Sequence, residues 1–419
     1  MSSILTNNGA MVALQTLRGI NSNLADTQNS IATGKDVSSA RDNAAVWAIS
    51  KVMESDVSGF KAISDNLGLG RATTQVASGA AETTTELLRE MKEKIVSAQE
   101  SNVDRDKIQA DIEALRDQIE SVGSAAQFNG LNLLNNREIE ADSSKVNVLS
   151  SLDRSSTGVA TNNIEVVKND LTLTEANYTT AGSATEATNQ MNTSGVAAQA
   201  SFAAYTVAAT TDTAVGTMFE ITSIAGNTLT DAIIVSVNDG DTRADVQNKL
   251  VTAMNFAADT MGINGTFSAS DTVAGQIDFT NDNDAGGAAI TLAAADMAKV
   301  TGTTATSGGS IGGGLSLLNS FDVTSEEGAA AALGAIEDLI QTSIDAAASF
   351  GSTDSRIETQ QTFVSNLMDA MKSGIGTLVD ADMEEESARL QALQVQQQLG
   401  VQALSIANQA PQQLLSLFR

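Results

Sequence analysis

The closing stretch Asp380–Arg419, DADMEEESARLQALQVQQQLGVQALSIANQAPQQLLSLFR, decides how the rest of the chain is read. Met383, Leu390, Leu393, Val401, Leu404, Leu415 and Phe418 recur at gaps of 7, 3, 8, 3, 11 and 3. Those gaps gather them on one side of an α-helix. Gln, Asn and Ser fill the other side. Asp382, Glu384, Glu385 and Glu386 supply negative charge to the first turn, where it complements the helix dipole. Pro411, the only proline in the chain, predicts a kink or stop near the end, because it lacks the amide hydrogen a helix interior needs. A single narrow apolar stripe cannot bury itself, so this helix requires a partner.

The opposite terminus offers one. Ser3–Thr33 contains no helix breaker apart from Gly9 and Gly19. Leu17, Leu24 and Ile31 recur every seven residues, with Leu14 three before Leu17. A helix of this length spans about 45 Å. Two independent amphipathic surface helices are one reading; the seven-residue recurrence favours a coiled-coil-like pair.

Composition narrows the function classes. A chain of 419 residues suits two to four domains. The hydrophobic fraction is 42% but aromatics are only 3%, so much of the apolar content is Ala, which favours helices packed through small side chains. With no Cys there is neither a disulfide framework nor a thiolate metal site. With no His, the Ser-His-Asp triad, Cys-His catalysis and the HExxH zinc site are excluded. A net charge of −28 argues against nucleic acid and anionic lipid as partners. It also makes copies repel unless something stronger assembles them. Met1–Asn8 has neither the basic nor the apolar region of a Sec-type signal peptide. No apolar run is long enough to span a membrane.

Between the two ends the pattern changes twice. Thr33-Gly34-Lys35 reads as a helix end. Val46, Ile49, Met53, Phe60, Ile63 and Leu67 continue a helical stripe, with Gly68-Leu69-Gly70 as an expected bend, and Leu88, Met91, Ile95 and Ala98 resume it. Ser101–Asp104 reads as a turn. Ile108, Ile112, Leu115, Ile119, Val122 and Ala126 mark the next helix, which Gln127-Phe128-Asn129-Gly130 closes. Lys145–Leu149 and Asn163–Leu173 fit a hairpin. From Thr174 to Ser310 the chain turns to Thr, Ser, Ala, Gly and Asp. Strand-like runs there are Phe219–Ile224, Ala232–Val237, Gly265–Ala269, Gln276–Thr280 and Ala288–Leu292. A helix is predicted over Arg243–Ala258, with Val246, Leu250, Met254 and Ala257 on one face, after capping-box spacing at Thr242 and Asp245. A second capping box is expected at Thr324–Glu327. Leu333, Ile336, Ile340, Ile344 and Ala347 follow, Gly351-Ser352 is an expected relaxation, and Ile357, Val364, Met368, Met371, Ile375 and Leu378 run on to the closing stretch. The expected architecture is therefore mainly α with a β-rich insert. Long antiparallel helices come from both chain ends, and an α+β domain loops out from the middle.

The ends resemble bacterial flagellin. The resemblance lies in Ile4-Leu5-Thr6-Asn7, Ser39-Ala40-Arg41-Asp42-Asn43-Ala44-Ala45 and Gln127-Phe128-Asn129-Gly130. It is completed by Ala407-Asn408-Gln409-Ala410-Pro411-Gln412 with Leu414–Arg419. Asp42-Asn43-Ala44-Ala45-Val46-Trp47 and Lys92-Glu93-Lys94 are more similar to flagellins of α-proteobacteria than to enteric ones. Phe219-Glu220-Ile221, Asp241–Asp245 and Gly286–Ile290 resemble the IN module of flagellin and hook proteins.

This resemblance implies a structural subunit that is exported unfolded through the flagellar type III apparatus. It then polymerises into the extracellular helical filament that serves motility. Implied partners are copies of the chain itself, alone or with other flagellins, hook-associated and cap proteins, and an export chaperone. No cofactor and no enzymatic activity are implied. Residues 1–37 with 381–419 would form inner-core terminal helices. Residues 38–173 with 322–380 would form a helical tube domain with the hairpin, and 174–321 a surface-exposed α+β domain. The expected polymerisation interface comprises Leu14, Leu17, Leu24, Ile31, Leu390, Leu393, Val401, Leu404, Leu415 and Phe418. Alternatives are a hook–filament junction protein and, more remotely, a secreted adhesin or glycan-binding module built on the insert.

Other candidate chemistry is sparse. Asp239 with Asp241, and Asp282 with Asp284, lack the ligand number of a calcium loop and read as solvated turns. Asn177-Tyr178-Thr179, Asn192-Thr193-Ser194 and Asn264-Gly265-Thr266 match a glycosylation triplet that Asn/Thr-rich chains produce by chance. Leu87–Ala98 and the 108–115 helix are similar to the patch that the innate immune receptor for flagellin reads. Arg89 matches its arginine, but Glu93 stands where the recognised proteins have leucine and Asp111 where they have glutamate. An acid in place of an apolar anchor predicts weakened recognition.

Overall fold

A computed structural model describes residues 7–137, 143–155, 158–175, 184–186, 198–201, 217–224, 227–238, 241–263, 266–270, 278–282, 297–301 and 313–417. In chain order, the first elements are helices α1 (Asn8–Thr33), α2 (Ala44–Ala98) and α3 (Arg105–Ala125). Strands β1 (Gln127–Phe128), β2 (Leu131–Asn132), β3 (Lys145–Ser155) and β4 (Gly158–Val167) follow. The middle holds β5 (Ala184–Glu186), β6 (Ala198–Ser201), β7 (Thr217–Ile224), β8 (Asn227–Ser236), helix α4 (Arg243–Thr260), β9 (Thr266–Ser270), β10 (Asp278–Asp282) and β11 (Met297–Thr301). A short 3-10 turn at Ser316–Ser320 leads to α5 (Glu326–Val379) and α6 (Met383–Leu417). The order helix, β-rich insert, helix is the one the sequence predicts.

Contacts separate two units, residues 1–65 with 362–419, and residues 66–361. In the first unit α1 and α6 pack antiparallel. Gly34 ends α1 in the left-handed conformation, φ 70°, its amide donating to the Ser30 carbonyl. Glycine enters that region without the Cβ penalty other residues carry. Its own carbonyl then accepts from the amide of Ala381, and the amide of Asp36 donates to the Val379 carbonyl. The stop expected at the other end does not occur: α6 runs through Pro411 to Leu417. The Ala407 carbonyl, which Pro411 leaves without a donor, accepts from the side chain of Asn7, the residue that caps α1.

In the second unit α2, α3 and α5 share a core of Leu67, Leu88, Met91, Ile95, Ile112, Ile119, Ile336 and Phe350. Ser343 on α5 donates to the Ala81 carbonyl and accepts from Thr85, so its buried hydroxyl is satisfied across the helix pair. Gly68–Gly70 does not interrupt α2, which is helical without a break from Ala44 to Ala98. Gly70 serves packing instead: a Cβ there would stand 2.8 Å from the Val148 side chain of β3. Likewise Gly351-Ser352 leaves α5 unbroken. β3 and β4 form the expected hairpin, longer at its tip than predicted and ending at Val167. Gln360 of α5 donates to the Ser150 carbonyl and holds it. At the end of α3, Asn129 and Gly130 both have positive φ, the geometry of a tight two-residue turn joining β1 and β2.

The insert has two small antiparallel sheets, in the orders β5-β11-β7-β8 and β6-β10-β9. β5, β6 and β11 were not expected, and Ala288–Leu292 lies outside the described residues. α4 begins with the predicted capping box at Thr242 and Asp245 and buries Val246, Leu250, Met254 and Ala257. Asn255 grips Phe267 of β9 at both its amide and its carbonyl. Gln109 of α3 makes the same two-sided grip, donating to the Phe321 carbonyl and accepting from the Val323 amide. The capping box expected at Thr324 does not form, and a simple cap one residue later takes its place. Asp322 already accepts from the Thr324 amide and hydroxyl, so Ser325 caps α5 by accepting from Gly328.

Candidate assembly interface

The seam between α1 and α6 draws on most of the expected stripe. Leu393 and Thr27 are buried, and Leu17, Leu24, Ile31, Leu390 and Leu404 are half-buried. Gly400 lets Leu17 approach: a Cβ at 400 would lie 3.0 Å from Leu17 Cδ1. Gln397 donates to Asn21 Oδ1 at 2.7 Å. Leu14 and Val401 are exposed at the margins of the seam. Leu415 lies in α6, and Phe418 falls outside the described residues.

The same two helices carry further apolar residues that the seam does not cover. Val395, Leu399 and Ile406 are exposed on α6, and Met11 and Val12 on α1. At 100° per residue, 395, 399 and 406 fall on the side of α6 opposite Leu393 and Leu404. Exposed large apolar side chains gathered on one face mark an interaction surface rather than scattered background. Sequence reading centred on the seven-residue stripe passes over them, although the 4 and 7 spacing is visible once sought.

Around the receptor-like patch, Leu87, Leu88, Met91 and Ile95 face the core. Arg89 pairs with Glu86 at 3.1 Å. Asp111 accepts from Lys94 at 2.7 Å and thereby raises the lysine's pKa. Glu93 is exposed. The acidic pairs resolve differently. Asp241 accepts from the Asn238 amide and from Lys249, which makes it a turn and ion-pair residue. Asp239 and Asp284 lie outside the described residues, as do the three Asn triplets at 177–179, 192–194 and, in part, 264–266. Among the described residues no group of three or more His, Cys, Asp or Glu is placed to hold a metal, and no helix is long and apolar enough to cross a membrane.

Asp170, singled out by no sequence pattern, is a buried carboxylate. Its Oδ1 accepts from the amide and hydroxyl of Thr172, while Oδ2 lies buried without a hydrogen-bond partner. Burial pushes its pKa up to about 6, against the bonds from Thr172 and the positive charges of Lys249 and Arg137.

Comparison with known proteins agrees with the architecture. Residues 4–138 match the bacterial flagellin N-terminal helical region, and residues 333–418 the bacterial flagellin C-terminal helical region. Flagellin A of Rhizobium meliloti is 38% identical, with all of both chains covered. Flagellin FljK of Caulobacter vibrioides is 29% identical over all of this chain and 99% of its own. These relatives fit the α-proteobacterial resemblance. The crystal structure of flagellar hook associated protein-3 from Legionella pneumophila aligns at 11% identity over 78% of this chain and 98% of that one, with a TM-score of 0.34, too slight a likeness to argue from. With both terminal helical regions matched and full-length relatives above 30% identity, this chain belongs to the bacterial flagellin family.

Proposed function

We propose that the chain polymerises through the apolar faces that the α1–α6 pair leaves exposed, building the helical bacterial flagellar filament. It is a structural protein of the extracellular flagellum, and its partner in the filament is itself. The observation that carries the assembly reading is the pair's incomplete burial: one side of α6 is closed by α1, and the opposite side presents Val395, Leu399 and Ile406 to solvent. Where such faces join head to tail with a rotation that does not close, the product is a helix of subunits rather than a ring. The paired ends then form the inner core, the longer helices a surrounding tube, and residues 174–321 the outer surface. The subunit reaches the tip through the type III export apparatus with a chaperone, and meets hook-associated proteins at the base and a cap protein at the growing end. No reaction is catalysed.

Purified full-length chain added to filament fragments grows long helical filaments by electron microscopy. Growth that halts after one ring of subunits would instead identify a hook–filament junction protein.

The acidic substitutions at the receptor-like patch have their own consequence. Glu93 puts a charge where a buried apolar anchor would sit, so activation of the innate immune receptor for flagellin requires about tenfold more protein than a leucine at that position would. A dose–response comparison of the native chain with Glu93→Leu checks this; equal potency refutes it.

A further inference from the structure

Pro411 has no amide hydrogen, so the carbonyl of Ala407, four residues earlier in α6, has no donor within its own helix. That carbonyl accepts instead from Nδ2 of Asn7, at 2.8 Å. The same side chain works at its other end, where Oδ1 accepts from the Ala10 amide at 3.0 Å and caps α1. Both halves of the amide group thus have partners of the matching kind, and a flipped amide would set donor against donor and acceptor against acceptor.

We propose that Asn7 is a positioning residue that sets the register of α1 along α6 by giving Ala407 the hydrogen bond that Pro411 withholds. The apolar stripe alone selects register weakly. Leu17, Leu24 and Ile31 recur every seven residues, so sliding α1 by one repeat still sets leucine-type side chains on the seam. A carbonyl stripped of its donor is a rarer mark. With one proline in the chain, the interior of α6 has one such carbonyl, and Asn7 reaches it in one register only. The backbone bonds of Gly34 and Asp36 fix the other end of the pair, and Gln397 with Asn21 ties its middle. Met11 and Val12 follow one turn after Asn7, and Ile406 adjoins Ala407. The tie therefore aligns the exposed apolar residues of one helix with those of the other. The inference rests on the assembly reading, because that alignment matters where copies meet.

A double-mutant cycle in the full-length chain tests it, with the critical concentration for growth from filament fragments as the readout. Asn7→Ser keeps a good helix cap but is too short to reach Ala407. Pro411→Ala returns an amide donor to Ala407 from within α6. Asn7→Ser raises the critical concentration about fivefold, the worth of one net hydrogen bond. In the Pro411→Ala background the same change has no effect. Equal effects of Asn7→Ser in both backgrounds, or none in either, overturn the inference alone while the parent chain grows normally. A parent chain that fails to grow overturns the assembly reading and this inference with it.

Discussion

Replacing Leu399 and Ile406 together by serine leaves the chain folded and abolishes filament growth at concentrations that sustain the parent. Leu399 is 58% and Ile406 69% exposed, and both sit on the face of α6 turned away from α1. Serine there removes no contact that the helix pair makes within the chain. Helix content and melting temperature therefore stay near parental values, apart from the small propensity cost of serine. Assembly is where these residues act. Burying each remaining apolar surface between copies is worth about 1–2 kcal/mol, so losing both raises the critical concentration roughly 30- to 1,000-fold. The comparison variant is Leu393→Ser. Leu393 is buried in the seam, so that change weakens the α1–α6 pair itself and lowers helix content as well as growth. A double serine variant whose critical concentration matches the parent's would show that this face is not where copies join.

How far the sequence could be read depends on how local the cause is. The long helices are legible because apolar spacing repeats over many turns, and the α4 cap because Thr242 and Asp245 lie three residues apart. The division of apolar residues on α6 is legible only in part. A helix with apolar side chains on two sides does not reveal which side faces its own chain. Long-range causes leave no local trace at all. The Ala407 carbonyl that Pro411 leaves without a donor is served by a side chain 400 positions from Ala407, and Gly70 stands inside α2 where Val148 of β3 takes the space a Cβ would need. The shift of the α5 cap from Thr324 to Ser325 is short-range but competitive, since Asp322 engages Thr324 first. Asp170 is the extreme case. An aspartate between Asn169 and Leu171 reads as a loop residue, and only the assembled second unit makes it buried.

That burial predicts a pH dependence with an unusual sign. The Asp170 carboxyl has its pKa pushed up to about 6 by burial, from an ordinary value of 3.8. A folded-state pKa above the unfolded one means that the folded chain holds the proton more tightly. The stabilisation is fully present below about pH 3.8 and is lost as pH rises through about 6. A shift of this size is worth up to about 3 kcal/mol between the two limits. Asp259 contributes in the same direction, also through burial. Asp42, Glu54 and Asp104, whose pKa values are lowered by their hydrogen bonds, act in the opposite sense, but they sit at the surface where solvent weakens the effect. Asp170→Asn separates the buried carboxyl from all of these. Asparagine keeps an Oδ1 that accepts from Thr172, and it carries no charge into the space where Asp170 Oδ2 has no hydrogen-bond partner. At pH 7 the variant unfolds at a higher denaturant midpoint than the parent, by up to about 3 kcal/mol in stability. Near pH 4, where the parent's carboxyl is protonated in the folded chain, most of that difference disappears. Denaturant titrations of both proteins at several pH values measure it. A difference that stays constant from pH 4 to 7 would mean that the ionised carboxylate is comfortably accommodated, through Lys249 and Arg137, and that its burial carries no cost.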